Sequence, residues 1–590
     1  MTSAAGPSGT PGRTIDEISD DYVERTAALD PVAATFDGVA GHDSELTDYS
    51  PDGEQARAEL ARAFLRELDA LSEAADASAP DRVPEWSERD RRATRVMRER
   101  LQVAVDLYEA GEHLRDLSTI FGPMHRVRGA FDLMPTSTED DWAVVAERLE
   151  QVPWSLATAR ASLDAGLQAG VVGPRRLTAV IADQARTWAG APTRSPIGSP
   201  TGSPGFFASL VQRADVSPAL RSRLDSAGAS AAQAYATYAS YLADEYAPRA
   251  TTSVGVGPDR YARAARAWTG DDLDLTETYE WGWAELARVL ARMEEVAARI
   301  LPGEPLRAVI EHVTAHPDYV LDSEDELRTW LQTLMDRTID ELDGTHFDIP
   351  PQIRRVEAMI APPGGAAAMY YTPPSEDFSR PGRTWYPTQG RTSFPLWLEK
   401  AICFHEGVPG HHLEVGGAKA RPGTMTRFQH LSFTSGYSEG WALYAERLMG
   451  ELGYLDDPVY ELGALATSAM RAARVVVDMG MHLDLRVPDD PGFQADWVTP
   501  GAPMTPEAAL EIAVHAAPFP RSFMESEIDR YIGLPAQAIS YKVGERVWLD
   551  IREQARRRHG DGFDLKEFHS YALGLGSLGL AQLRDEMAAW

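Results

Sequence analysis

The segment FHEGVPGHHLE, residues 404–414, sets three histidines and two glutamates around a Pro-Gly pair. Imidazole and carboxylate are donors that Zn2+ accepts, so the chemistry this composition points to is metal-assisted hydrolysis. In the helical motif His-Glu-x-x-His, two histidines four residues apart share a face and one zinc ion, and the glutamate activates a water. Here Pro409 stands where the second histidine belongs, and the candidates are His411 and His412, six and seven residues after His405. On an unbroken helix His411 would point about 120° away, and His412 would lie about 10 Å further along the axis. Neither could share an ion with His405 unless the helix breaks between them. The residues for a break are present. Pro409 has no N–H and disfavours helix at Val408, and Gly407 and Gly410 tolerate unusual dihedrals. A bulge of two residues would bring His411 into position, and one of three would bring His412. The plain alternative is a capped turn with solvent-facing histidines, against which a His-Glu pair deep in a helical run weighs.

A zinc site of this kind needs a third protein donor and an open position. FTSGYSEGWALYAERLMGELG, residues 433–453, offers Glu439 near the start of a second helical run, with Glu446 the next acid on the same face. Without the upstream histidines Glu439 would read as a first-turn carboxylate favouring a helix N-terminus. In RAARVVVDMGMHLDL, Arg474, Asp478 and His482 form one stripe at four-residue spacing. That row suits either a buried ion-pair network or a set of groups that orient a ligand and bind a substrate carboxylate. ESEIDRYIGLPAQAISYKVGERVW adds Arg530, Tyr531 and Tyr541. A tyrosine hydroxyl or imidazole stabilises the oxyanion that develops in amide hydrolysis, although aromatics at helical spacing are more often core.

The elements that must position these groups are mostly helical. Residues from Asp52, from Trp142 and over Asp274–Leu301 carry apolar side chains at a period near 3.6. The span Ser226–Ala243, with Tyr235, Tyr238 and Leu242 in helical register, reads as a buried helix and not a membrane span. Ser393 or Thr392 is the expected cap of the His405 helix. Before it, Val356–Ile360, Met369–Thr372 and Thr384–Tyr386 read as short strands between Pro/Gly turns. If the strand carrying Tyr386 is an open edge, an extended peptide can add to it through backbone hydrogen bonds. Residues 191–206, rich in Pro, Gly and Ser, read as a surface loop between similar helices. The expected organisation is a loose tail over residues 1–14 and one helical domain over 15–590, with the chemistry-bearing part at about 354–557.

With 44% hydrophobic and 25% charged residues the chain has the composition of a soluble globular protein. A formal net charge of -32 argues against nucleic acid and against anionic membranes as partners. The single cysteine, Cys403, excludes an internal disulfide and fits a reducing cytoplasm. It lies two residues before His405 and is expected to be buried and inert. The first residues contain no apolar run of the kind a secretory signal needs.

Taken together, HEGVPGHHLE, SEGWALYAERL, RAARVVVDMGMH and RYIGLPAQAISYKVGE resemble the bacterial domain-of-unknown-function 885 family, as does the preceding YYTPPSEDFSRPGRTWYP. That family is grouped with the gluzincin metallopeptidases and resembles the carboxypeptidase Taq, thimet oligopeptidase and angiotensin-converting enzyme folds. The resemblance implies a mainly α, two-lobed zincin-like body with a deep cleft and a small sheet beside the active-site helix. It implies one zinc ion held by His405 and Glu439, with Glu406 as general base. The Gly-His pair common in those relatives matches Gly410-His411 and favours His411 over His412. It also implies Tyr541, and after it His482, as the oxyanion group; Arg474, Asp478, Arg530 and Tyr386 are expected toward the substrate from their places in the sequence. The expected activity is hydrolysis of short peptides in the cytoplasm. The rivals are a metal-dependent amidase or esterase on a non-peptide substrate, and an inactive binding protein of the same fold.

Overall fold

Amphipathic runs over most of the chain become helices, and the short β-branched and aromatic runs before residue 396 become strands, so the protein is mainly α. The computed structural model describes residues 13–76, 86–191, 204–361, 368–375, 377–388, 390–421 and 423–590. Of the expected tail, residues 1–12 lie outside the described residues, and Thr14 already caps the first helix through Glu17. Of the expected loop, residues 192–203 lie outside them as well. Among the described residues no helix is long and apolar enough to cross a membrane.

The helices that frame the cleft and its surroundings are α1 (Pro51–Asp76), α2 (Glu139–Ala169), α3 (Pro218–Ser240), α4 (Leu275–Ile300), α5 (Glu324–Leu342), α6 (Leu396–Glu406), α7 (Ser435–Glu451), α8 (Pro458–His482), α9 (Arg521–Gly533) and α10 (Ser540–His559). Four expected runs are seen as α1, α2, α3 and α4. In α3 and the wide turn after it, Tyr235, Tyr238 and Leu242 are buried as their spacing requires. One apolar core runs from Val32 to Met587, so the N- and C-terminal halves share a single interior.

Five short strands accompany them: β1 (Val320–Leu321), β2 (Val356–Ile360), β3 (Tyr370–Thr372), β4 (Gly382–Tyr386) and β5 (Phe394–Pro395). The three expected strands form one sheet in the order β2-β4-β3, parallel on one side of β4 and antiparallel on the other. This corrects one expectation. β4 is the central strand, its backbone paired on both sides, and it offers no edge to a peptide. A second correction concerns the start of α6. Neither Thr392 nor Ser393 caps it, because Phe394 and Pro395 are drawn into an antiparallel pair with β1 and the helix begins at Leu396 behind Pro395.

Helices α7 and α10 cross in very close contact. A Cβ on Gly440 would overlap the backbone of Gly544, and one on Gly544 would overlap the Gly436 carbonyl. Helix α8 is drawn equally close to α6, where a Cβ on Gly463 would overlap the Trp397 carbonyl. These two glycine contacts bring the four helices that carry chemistry to one place.

Candidate metal centre

Helix α6 ends at Glu406 and the chain then makes the expected bulge. The Gly410 N–H bonds the Phe404 carbonyl at 3.0 Å, six residues back where a regular helix reaches back four. The His412 N–H reaches five residues back, to Gly407, also at 3.0 Å. Two extra residues are thus absorbed, which puts His411 where residue 409 of an unbroken helix would stand. The Val408–Pro409 peptide is cis. Gly410 is obligatory, because a Cβ there would overlap the carbonyl oxygens of Phe404 and His405. Helix α7 holds the bulge from the other side: Trp441 Nε1–H donates to the Pro409 carbonyl at 2.9 Å, and Ser438 Oγ–H to Glu414 Oε1 at 3.2 Å.

The result is a convergence of three side chains. His405 Nε2 lies 3.3 Å and His411 Nε2 3.5 Å from the same oxygen, Glu439 Oε2. Ligand atoms of all three lie within 4.8 Å of one another. Zinc–ligand bonds of about 2.0–2.2 Å in a tetrahedron put ligand atoms roughly 3.4 Å apart, so these gaps suit one ion. Glu439 Oε2 is buried and, apart from the two imidazole nitrogens facing it, has no polar partner among the described residues. A buried carboxylate oxygen needs a compensating cation, which a protonated imidazole or a metal ion can supply. Burial alone would raise the Glu439 carboxyl, but the two imidazoles facing it outweigh that and hold it well below the ordinary range. The donor set therefore fits a zinc ion.

Around this triad the chain supplies orienting groups. His405 Nδ1 lies 2.7 Å from Glu446 Oε1, and Glu446 Oε2 accepts from Thr467 Oγ1 at 3.0 Å. Arg471 Nη2 stands 3.5 Å from Glu446 Oε1. Glu446 is the acid two turns beyond Glu439, so the seven-residue spacing was the sequence signal for it. Its role, and that of Arg471 three residues before Arg474, became visible only when α7 and α8 were packed against α6.

The triad opens into a cleft of about 2630 Å³ whose lining includes Glu406, Arg471, Arg474, Arg530 and Tyr541. Phe36, Phe121, Tyr370 and Phe433, exposed aromatics on the protein surface, line it further out. Arg474 and Arg530 are heavily committed. Arg474 donates to Tyr531 Oη and Glu527 at 2.9 and 2.7 Å, and Arg530 donates to Glu527 at 3.0 and 2.9 Å and to Gln537 at 2.7 Å. The guanidinium of Arg474 also lies over the Tyr541 ring, 4.5 Å from its centroid.

Four candidates are placed elsewhere: His412, Asp478, His482 and Tyr386. His412 is no metal ligand: its Nδ1 meets the Tyr371 hydroxyl at 2.9 Å and its Nε2 the Ile353 carbonyl at 2.8 Å, so its nitrogens are spent tying the bulge to β3 and to the turn before β2. His482 is no oxyanion group: it is fully buried, with its nitrogens 3.1 and 3.0 Å from the Val254 and Tyr531 carbonyls, and Asp478 behind it bonds the Tyr261 hydroxyl and the Ala536 N–H. The stripe at 474, 478 and 482 follows α8 away from the cleft, and only Arg474 reaches it. Tyr386 points inward from the central strand, is buried, and meets the Cys403 thiol, not substrate space. Cys403 is buried as expected, and burial pushes its thiol up to about 12.

No curated protein matches this chain. Two solved structures are similar in fold. One is described as a "putative lipoprotein" from Colwellia psychrerythraea, 22% identical over 98% of this chain and 99% of that one, with a TM-score of 0.79. Another, a "putative lipoprotein of unknown function" from Shewanella oneidensis, is 18% identical over 98% and 100%, with a TM-score of 0.70. With residues 31–587 matching its description, the chain belongs to the family of bacterial proteins of unknown function DUF885.

Proposed function

We propose that this protein is a zinc-dependent hydrolase of the gluzincin kind that cleaves the peptide bonds of short peptides. One observation carries the reading: His405 and His411 converge on one buried oxygen of Glu439, with the carboxylate of Glu406 next to them in the same cleft. A zinc ion held by those three residues would supply a Lewis acid and bring the ionisation of a water toward neutral pH.

The remaining work falls to the chain itself. Glu406 is buried, and burial raises its carboxyl above the usual value against the pull of His405 and His411. A carboxylate so placed takes a proton from the attacking water as the C–O bond forms, and then delivers it to the leaving nitrogen as the C–N bond breaks. Tyr541 donates its hydroxyl hydrogen to the carbonyl oxygen as negative charge grows there. Burial and the nearby Glu439 raise the Tyr541 pKa, so the hydroxyl keeps its hydrogen at neutral pH. The enclosing walls favour short or extended chains over folded proteins. The lone buried thiol fits a reducing compartment such as the cytoplasm.

Metal analysis of the purified protein tests the reading, with His405→Ala and Glu439→Ala as controls. Near-stoichiometric zinc in the wild type and its loss in both variants is the expected result. The same trace content in all three would end it.

A further inference from the structure

Three arginines, Arg471, Arg474 and Arg530, stand on the cleft wall beside the metal centre, and they differ in how they are satisfied. Arg474 and Arg530 share the Glu527 carboxylate and are further bound by Tyr531 and Gln537. Arg471 is not. It is 7% exposed, its Nε and Nη1 have no hydrogen-bond partner among the described residues, and its one ion pair among them, with Glu446, is 3.5 Å long at Nη2 while Glu446 also accepts from His405 and Thr467. A guanidinium is always charged and presents its donors as a planar fork matched to a carboxylate. Leaving two of them buried and unmade is costly.

Resting on the hydrolase reading above, we infer that Arg471 is the receptor for the free C-terminal carboxylate of the substrate. The protein then acts at the C-terminal end of short peptides. The fork lies on the His405 side of the cleft, one residue contact from the metal-orienting Glu446. A carboxylate bound there brings the last peptide bond of the chain, not an internal one, toward Glu406. Arg474 and Arg530 are positioning residues that shape this wall.

The test compares one N-acetylated tripeptide, acetyl-Ala-Ala-Phe, as the free acid and as the C-terminal amide. Two readouts are used: hydrolysis by the zinc-loaded protein, and binding to the metal-depleted protein by calorimetry. The free acid is expected to bind about 10- to 100-fold more tightly than the amide, the span that charge-assisted hydrogen bonds support. Arg471→Gln is expected to erase that difference while sparing binding of the amide, and Arg471→Lys to keep part of it. Equal binding of acid and amide to the wild type overturns the proposal, whether or not any variant folds. So does an Arg471→Gln protein that retains the preference but loses activity on both peptides, because Arg471 would then act only through Glu446. The two readings fail separately. Absence of any peptide hydrolysis by zinc-loaded protein defeats the hydrolase reading, while preferential binding of the acid would still support Arg471 as a carboxylate receptor.

Discussion

His405 Nδ1 and Glu446 Oε1 lie 2.7 Å apart, joining the end of one helix to the middle of another. Burial pushes the Glu446 carboxyl up, but Arg471, His405 and Thr467 outweigh it and hold it below its usual value, so it accepts and the ring nitrogen donates. With Nδ1 donating to Glu446, Nε2 is the nitrogen turned toward Glu439, and a metal bound there would take the place of its proton. Replacing Glu446 with Gln should therefore weaken zinc binding about 10- to 100-fold, as loss of such an orienting carboxylate commonly does. Competition with a chelator of known affinity measures it.

Glu406→Gln should keep zinc and abolish turnover. The amide retains the shape of the side chain but cannot take a proton from water. Paired metal content and peptide hydrolysis decide the point, and full activity in this variant would refute Glu406 as general base.

His411→Ala should lose zinc, whereas His412→Ala should keep it. The second variant deletes the contacts to Tyr371 and Ile353 and should cost about 1–3 kcal/mol of stability instead. Metal analysis with a denaturant titration on the same samples separates the two effects.

Gly410→Ala should damage both properties. The new methyl would overlap two carbonyl oxygens of the bulge, and the helix end would have to shift. A stability loss of about 2–4 kcal/mol, of the kind strained or overpacked sites show, is expected together with weaker zinc binding.

Glu527 gives a pH signature. Burial favours its neutral form, but Arg530 and Arg474 prevail and lower its pKa from 4.5 to about 2. Because the folded value lies below the unfolded one, its contribution is complete above about pH 4.5 and is lost as pH falls toward about 2. Glu527→Gln should cost about 3–5 kcal/mol at neutral pH by stranding two buried guanidiniums. The gap between wild type and variant should narrow as acid is added through that window, which denaturation at a series of pH values would reveal.

Much of the site was legible before any fold was known, because its logic is local. The break after Glu406 follows from what Pro409 lacks and what Gly407 and Gly410 allow; counting residues around that break leaves His411 and His412 both open, and only the resemblance to the family favours His411. Glu439 was legible as an acid near the start of a strong helix. The reading went astray where local spacing was asked to report direction in space. Asp478 and His482 do share a face with Arg474, but α8 is long enough to carry that face out of the cleft and into the core. The segment holding Tyr386 was correctly read as a strand, yet its place between β2 and β3 depends on pairing with residues far along the chain.

By itself the sequence determined the helical character of the chain, the three strands before the histidine-rich segment, the interruption of the His-Glu helix and the chemical types of the side chains around it. Each follows from dihedral preferences and periodicities that act within a few residues. Tertiary structure alone decided that His412 belongs to the sheet, that Glu446 orients His405, that Arg474 and Arg530 are satisfied while Arg471 is not, and that Tyr541 reaches the cleft. Those outcomes depend on helices brought into contact at Gly440, Gly544 and Gly463, where the absence of a side chain lets distant backbones touch. Which donor finds which acceptor is settled by that approach.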